Sequence, residues 1–377
     1  MDVTEIIETL RRLREGEPSY VRGEVLGSMT VDAPNYLVEA FKIFINTNLN
    51  DPKLFKITYE LERACIKWLS EIMHGGGYGL LTYGGSESNL TALYVLRELT
   101  GGDVVLAPKS AHISIRKSCK VLKMNLIEVG VDEDFLPRLD DLCRLIRKYE
   151  GRLACVVMTA GTTDLGVVEP VELLVKMCGD VKYAIHVDAA YGGLIAPFIA
   201  ESDPEIPVFD FRLEKVHTIA VDFHKLITPA PCGALLLRSR ELEDLITFEA
   251  PYMPSGRNRG LLGTRSGGIA ATAWAAINSL GTEGFKQLAL DLVSRAKYLS
   301  SRLVELGIKV LKEPKLPIVT FNVDNSDKVM KRLWASKMYV YPTSIPNSLR
   351  VVVGPHITYE VIDAFVRVLS NIVRGSE

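Results

Sequence analysis

Between residues 104 and 237, short apolar runs recur at a spacing that leaves few folds open. Runs at 104–107, 125–129, 153–159, 183–187, 218–221 and 234–237 read as strands. Helical stretches at 89–99, 139–149 and 171–178 fall between most of them. Strands that alternate with helices predict an α/β fold, a mostly parallel sheet with helices on both faces. In such sheets ligands gather at the carboxyl ends of the strands. His112, Thr162, Asp188 and Lys225 all lie at or just beyond such ends.

The flanks read differently. Residues 1–50 form a helix and an irregular arm. Asp51-Pro52 opens a long helix running to about residue 74, with Pro in the first turn and Leu54, Ile57, Leu61, Cys65, Trp68, Leu69 and Ile72 at helical spacing. A polar, glycine-rich stretch at 249–267 reads as a loop long enough to serve a function, with surface disorder as the alternative. Helices at 268–280 and 283–306 follow, then strand 318–323, helix 327–336, strand 349–353 and helix 359–373. This divides the chain into an arm (1–50), a large domain (51–281) and a smaller C-terminal α+β domain (282–377).

Composition excludes some partners. The formal net charge of −2 gives no basic footprint for nucleic acid. No apolar run approaches the roughly 20 residues that span a bilayer. Residues 1–14 are charged and lack the apolar core of a signal peptide, so a cytoplasmic location is expected. The six cysteines are scattered without CxxC or metal-ligand spacing, which predicts reduced thiols and no metal.

Two strand ends carry the chemistry. One delivers Asp222-Phe223-His224-Lys225, the other His186-Val187-Asp188-Ala189-Ala190. A lysine and an aspartate at neighbouring strand ends suit pyridoxal 5'-phosphate: the amine joins the aldehyde, and the carboxylate keeps the ring nitrogen protonated. Gly84-Gly85-Ser86-Glu87-Ser88-Asn89 precedes a helix, where free N–H groups favour an anion, although simple N-capping by Ser86 and Glu87 reads equally well. His112 is suited to stack on one face of a flat cofactor or to serve as a structural histidine, and Ala190 is small enough to leave room at the other face.

Taken together, His112, Gly84–Asn89, Thr159-Ala160-Gly161-Thr162-Thr163, His186–Ala190, His224-Lys225, Gly263-Thr264-Arg265-Ser266-Gly267-Gly268 and Arg350–His356 resemble the group II pyridoxal-phosphate-dependent amino-acid decarboxylases. The resemblance is strongest to the archaeal L-tyrosine/L-aspartate decarboxylases and spans nearly the whole chain. It implies the aspartate-aminotransferase-like fold (fold type I) and a homodimer with shared active sites. It makes Lys225 the lysine that binds the cofactor, Asp188 the partner of the ring nitrogen, His112 the stacking residue and Ala190 the contact on the other face. Gly85, Ser86 and His224 would hold the phosphate, joined by Thr264 of the partner subunit. Thr162 would contact cofactor or substrate carboxylate. Arg350 resembles an arginine used for carboxylate binding, with a strand-end salt bridge as its other reading. Phe223 departs from the proline usual in close relatives. Asp222 stands where some members use a neutral polar residue; a carboxylate there would repel the phosphate, so it is set aside as a phosphate ligand.

The reaction expected is α-decarboxylation of an L-amino acid, aspartate to β-alanine slightly ahead of tyrosine to tyramine, since β-alanine feeds coenzyme A synthesis. Tyr252, in the 249–260 loop, is expected to deliver the proton that replaces the carboxylate, with His112 as the rival donor and an exposed loop aromatic as the other reading of Tyr252. Three other functions are open. A carbon–carbon lyase or transaminase would give different products. tRNA-linked sulfur transfer would need cysteines near the cofactor and a more basic surface. Non-catalytic cofactor binding would not need the full lysine, aspartate and histidine set.

Overall fold

The computed structural model describes residues 2–375. Helix α1 (Val3–Glu15) is closed at its start by a capping box between Asp2 and Glu5 and buries none of its residues. Helix α2 (Asn35–Phe44) follows. Helix α3 (Lys56–Ile72) begins four residues after Pro52, later than the sequence suggests. Residues 52–55 form turns, so Pro52 lies outside the helix.

The centre is a seven-stranded sheet. Its strands are β1 (Tyr78–Thr82), β2 (Val104–Pro108), β3 (Asn125–Val129), β4 (Leu153–Thr159), β5 (Ile185–Asp188), β6 (Val216–Asp222) and β7 (Gly233–Leu237), in the order β1-β7-β6-β5-β4-β2-β3. Strands β2 to β6 pair in parallel. β7 runs antiparallel between β6 and β1. The expected α/β class with a mostly parallel sheet is the architecture found. β1 escapes the apolar pattern because Tyr78-Gly79 opens it.

The connecting helices are α4 (Gly85–Thr100), α5 (Ile113–Leu122), α6 (Leu139–Tyr149), α7 (Val171–Met177), α8 (Ala196–Ile199) and α9 (Arg240–Asp244). α4 joins two parts of the core. Leu93 and Leu96 pack with Val105 and Val157, and Ala92 and Val95 pack with Leu80, Leu235 and Leu237. Burying each such side chain contributes roughly 1.5–3 kcal/mol, which fixes the start of α4 over the sheet edge.

Cys143 on α6 and Cys178 after α7 are joined in a disulfide, correcting the expectation of six reduced thiols. The two helices run side by side, a proximity that a separation of 35 residues hides. Cys65, Cys119, Cys155 and Cys232 are free and buried.

The stretch expected as a loop at 249–267 contains a short hairpin, β8 (Thr247–Glu249) with β9 (Arg257–Arg259). Helix α10 (Gly268–Glu305) merges the two helices expected there and turns at Gly281, where φ is 60°. Strands β10 (Ile318–Asn322), β11 (Tyr341–Pro342) and β12 (Ser348–Val352) make a three-stranded antiparallel sheet with helices α11 (Ser326–Ala335) and α12 (Tyr359–Val373). By packing, the chain forms two compact units: 33–291, and 1–32 together with 292–377. The sequence pattern puts breaks at 50/51 and 281/282 instead. It cannot register that residues 24–26 bond to 339 and 352 and so belong with the chain's end.

Candidate active site

Strand register brings the chemistry-bearing residues to one edge of the sheet. Thr82 and Asp222 both pair with Gly233, and Asp188 pairs with Thr159 and Ala220. The ends of β1, β4, β5 and β6 and the start of β7 therefore share one edge, where α4 and α5 also begin.

Asp188 is held by a chain of donors. Thr218 Oγ1 lies 2.8 Å from His186 Nδ1, and His186 Nε2 lies 2.8 Å from Asn89 Oδ1. Asn89 Nδ2 then donates to Asp188 Oδ2 at 2.7 Å and to Ser114 Oγ at 2.8 Å. Complete burial pushes His186 down to about 4, so its ring is neutral at physiological pH. An amide oxygen only accepts, so His186 carries its proton on Nε2 and accepts from Thr218 on Nδ1. Every link donates toward Asp188. Its other oxygen accepts from the N–H of Ala190 at 3.1 Å. Both oxygens are thus fixed, as a carboxylate facing a planar cation requires.

His112 caps α5. Its Nδ1 accepts from the Ser114 N–H at 3.2 Å and lies 2.9 Å from Ser114 Oγ. With Nδ1 accepting, the ring proton sits on Nε2. Burial pushes His112 below the usual imidazole range; Asp188 and Asp222 oppose this and Lys225 adds to it. The ring thus lies within the electrostatic field of all three.

Asp222 is not turned away from this edge. Its carboxylate is buried, 3.1 Å from Lys225 Nζ and 3.7 Å from His224 Nε2. His224 Nδ1 lies 2.9 Å from the Cys232 carbonyl. Glycines line the other side. A Cβ at Gly233 would fall 2.4 Å from Asp222 Oδ1, one at Gly85 would fall 2.8 Å from Ala190 Cβ, and one at Gly84 would fall 2.9 Å from His224. Phe223 points into the core, fully buried, and its N–H donates to the Cys232 carbonyl at 3.0 Å, a bond that proline could not make.

These residues fit pyridoxal phosphate. The N–H groups of Gly85 and Ser86 open a sixteen-residue helix and bond to no acceptor among the described residues. Such an N-terminus takes a phosphate. Ser86 is exposed there, its hydroxyl open to a ligand, while Glu87 turns back to accept from the Tyr83 N–H at 2.6 Å.

The other expected residues have surroundings of their own. Thr162 is buried after β4, and its hydroxyl accepts from the Val167 N–H at 3.1 Å. Thr264 is exposed, next to the fully buried Arg265, which pairs with Glu62 and donates to the Leu81 carbonyl at 2.8 Å. Tyr252 is 86% exposed at the hairpin tip, and its phenol bonds to none of the described residues. Arg350 is buried in β12, paired across to Thr320 and Tyr341, in the unit that contains 292–377. Glu169, not anticipated, is fully buried beside β4. It accepts from the Thr159 N–H at 2.7 Å and from Ser110 Oγ at 2.9 Å, and burial pushes it up to about 7.

Comparison with known proteins agrees with this geometry. The pyridoxal-dependent decarboxylase conserved domain matches residues 28–324. The probable L-tyrosine/L-aspartate decarboxylase of Methanothermobacter thermautotrophicus is 36% identical over 94% of this chain and 98% of its own. The L-aspartate decarboxylase of Thermococcus kodakarensis is 32% identical over 97% of each chain. In fold, the chain is similar to a sphingosine-1-phosphate lyase from Burkholderia pseudomallei, with a TM-score of 0.89 and 23% identity over 99% of this chain and 91% of that one. It is also similar to the glutamate decarboxylase of Lactobacillus brevis, with a TM-score of 0.86 and 19% identity over 99% of this chain and 92% of that one. A parallel-sheet edge that carries lysine, aspartate and histidine over a glycine-lined helix start, and a family match across most of the chain, place this protein in the pyridoxal-dependent decarboxylase family, as an amino-acid decarboxylase of fold type I.

Proposed function

We propose that the protein removes the α-carboxylate of L-aspartate to give β-alanine, with L-tyrosine to tyramine as its second substrate. The observation that carries this reading is end-to-end similarity to relatives named for those two amino acids. β-Alanine is a precursor of coenzyme A, which gives the reaction a use in any cell.

In this reading Lys225 holds the cofactor covalently. Gly85, Ser86 and His224 would bind its phosphate, and Ala190 and His112 would take the two ring faces. Asp188 holds a proton on the ring nitrogen, oriented by Asn89 and His186. Bound there, pyridoxal phosphate supplies an electron-accepting ring that takes the electron pair of the breaking bond to the carboxylate. Thr162 contacts the cofactor or the substrate's carboxylate. Tyr252 or His112 delivers the proton that replaces the lost carboxylate, and Lys225 regains its place as the amine leaves.

The protein works as a homodimer in which Thr264 completes the partner's phosphate site. Exposed apolar residues support this. Leu54 and Ile57 are 68% and 64% exposed, and Leu262 is also exposed. Asn50 ties their segments together by donating to the carbonyls of Leu262 and Gly263, beside Thr264. Apolar side chains left exposed on neighbouring segments are the kind of surface a second subunit covers.

The test is incubation with pyridoxal phosphate and each proteinogenic L-amino acid, with carbon dioxide and amine measured. Equimolar carbon dioxide and β-alanine, with weaker tyramine formation, is the expected result. Carbon dioxide from neither substrate, or an aldehyde or keto acid as main product, overturns the proposal.

A further inference from the structure

Asp222 is the least expected group at the site. It is 2% exposed, and neither carboxylate oxygen has a hydrogen-bond donor among the described residues. A buried charge without donors costs several kcal/mol unless a countercharge holds it. The glycines around it make the space it occupies: a Cβ at Gly233 would fall 2.4 Å from Oδ1, and one at Gly85 would fall 3.1 Å from Oδ2. Neutral side chains would fit the same space, and a phosphate bound at Gly85 and Ser86 would find a carboxylate unfavourable. Its retention needs a compensating role. Lys225 Nζ, 3.1 Å from Oδ2, is the nearest cation.

We propose that Asp222 is a positioning residue for Lys225, the fixed anchor of the lysine ammonium whenever the lysine is not joined to the cofactor. This rests on Lys225 being the cofactor lysine. In each turnover the lysine would exchange places with the substrate's amine; on its return the ammonium would first hand a proton to the Asp222 carboxylate, the neutral amine would form the carbon–nitrogen bond, and the departing product amine would carry that proton away. A four-carbon side chain set free has many rotamers to lose again. A carboxylate three residues back along the chain holds it at one place, pointing along the edge that carries Asp188 and His112. Asp222 disfavours the phosphate and favours the lysine, so its removal should move the two in opposite directions. A merely structural role would weaken both.

The experiment uses full-length protein with Asp222→Asn, freed of cofactor and mixed with pyridoxal phosphate. The growth of the absorbance of the lysine-bound cofactor is followed by stopped flow. Binding of inorganic phosphate alone to the cofactor-free protein is measured by calorimetry. The expected result is lysine attachment slowed about tenfold or more, the scale of losing one close charge partner, with phosphate bound more tightly than by wild type. Unchanged attachment, or attachment and phosphate binding both weakened, overturns the proposal. Borohydride fixation followed by peptide mapping separates the two readings, since a label on another lysine overturns the role of Lys225 and the proposal with it, whereas a label on Lys225 with unchanged attachment overturns the role of Asp222 alone. Should Asp222→Asn fail to fold, melting of Lys225→Met decides the matter. Stranding a buried carboxylate should lower its Tm, and adding Asp222→Asn to it should raise Tm again; an unchanged Tm in Lys225→Met overturns the proposal.

Discussion

Asp188 and its donors show how much a single position depends on residues with no chemistry of their own. Asp188→Asn should lower turnover by about 100-fold or more, the scale of removing one preorganised electrostatic partner, while cofactor remains bound. Steady-state assay with an absorbance measure of bound cofactor checks this, and near-normal turnover would mean that another group protonates the ring. Asn89→Ala should cost about tenfold in kcat with little change in KM, because it frees Asp188 without touching the substrate. Protonation is the remaining step at this scale. Tyr252→Phe should slow amine release and divert part of the reaction to decarboxylation-dependent transamination, visible as an aldehyde product. An unchanged rate and product ratio would assign the proton to His112, whose Nε2–H already lies within the field of Asp188 and Lys225. Strand ends mark the positions of Lys225, Asp188 and His112 in the sequence. Asn89 and His186 had a signal that went unused: His186 stands two residues before Asp188 on the same strand face, and Asn89 one helical turn after Gly85. The repulsion between Asp222 and a phosphate is evident in the sequence, but the lysine that the chain folds back to within 3.1 Å of it is not.

Among the elements, those with a repeating apolar pattern were read almost to the residue, as at β3, β4 and α12. Those fixed by tertiary contact were not. β1 forms because β7 pairs with it, and α3 starts at Lys56 because the turns before it are held by neighbours, Asn50 bonding to Leu262 among them. The disulfide belongs to this class. Closing a loop of 35 residues is worth about 3–4 kcal/mol through the unfolded chain. Cys143→Ser should therefore lower Tm, and thiol titration of the denatured, unreduced protein should find the four free cysteines and not all six. Finding six would show that the pair is reduced. Glu169 offers a pH test. Its folded pKa is raised to about 7 by burial, whereas the unfolded chain titrates near the ordinary glutamate value. The folded protein thus binds more protons than the unfolded one between about pH 4.5 and 7, and stability falls as pH rises through that window. The loss is on the order of 3 kcal/mol. Glu169→Gln should remove it: the variant should gain stability relative to wild type on going from pH 5 to pH 8, as measured by urea melts. A constant difference between the two would show that Glu169 stays ionised in the fold.

At the scale of the whole molecule, the proposed homodimer turns on whether Thr264 serves its own chain or another. Thr264 is exposed, yet Arg265 beside it is fully buried and tied to Glu62 and the Leu81 carbonyl. A rigid base under an exposed hydroxyl is a costly way to build an idle turn, and it suits a residue offered to another chain. Leu54, Ile57 and Leu262 leave apolar surface exposed on neighbouring segments, which a second copy would cover. If the sites are shared, Lys225 of one subunit works with Thr264 of the other. Lys225→Ala and Thr264→Arg should each be nearly inactive alone. Unfolded together and refolded as a mixture, they form heterodimers with one site carrying both defects and one site carrying neither. Half the dimers in an equal mixture are mixed and each has one sound site, so about a quarter of wild-type activity should return. If Thr264 serves its own subunit's site, every site in the heterodimer keeps one defect and mixing restores nothing. The assay therefore reads the origin of Thr264 directly. Sedimentation at the assay concentration completes it, because a fully active monomer would place the whole site within one chain.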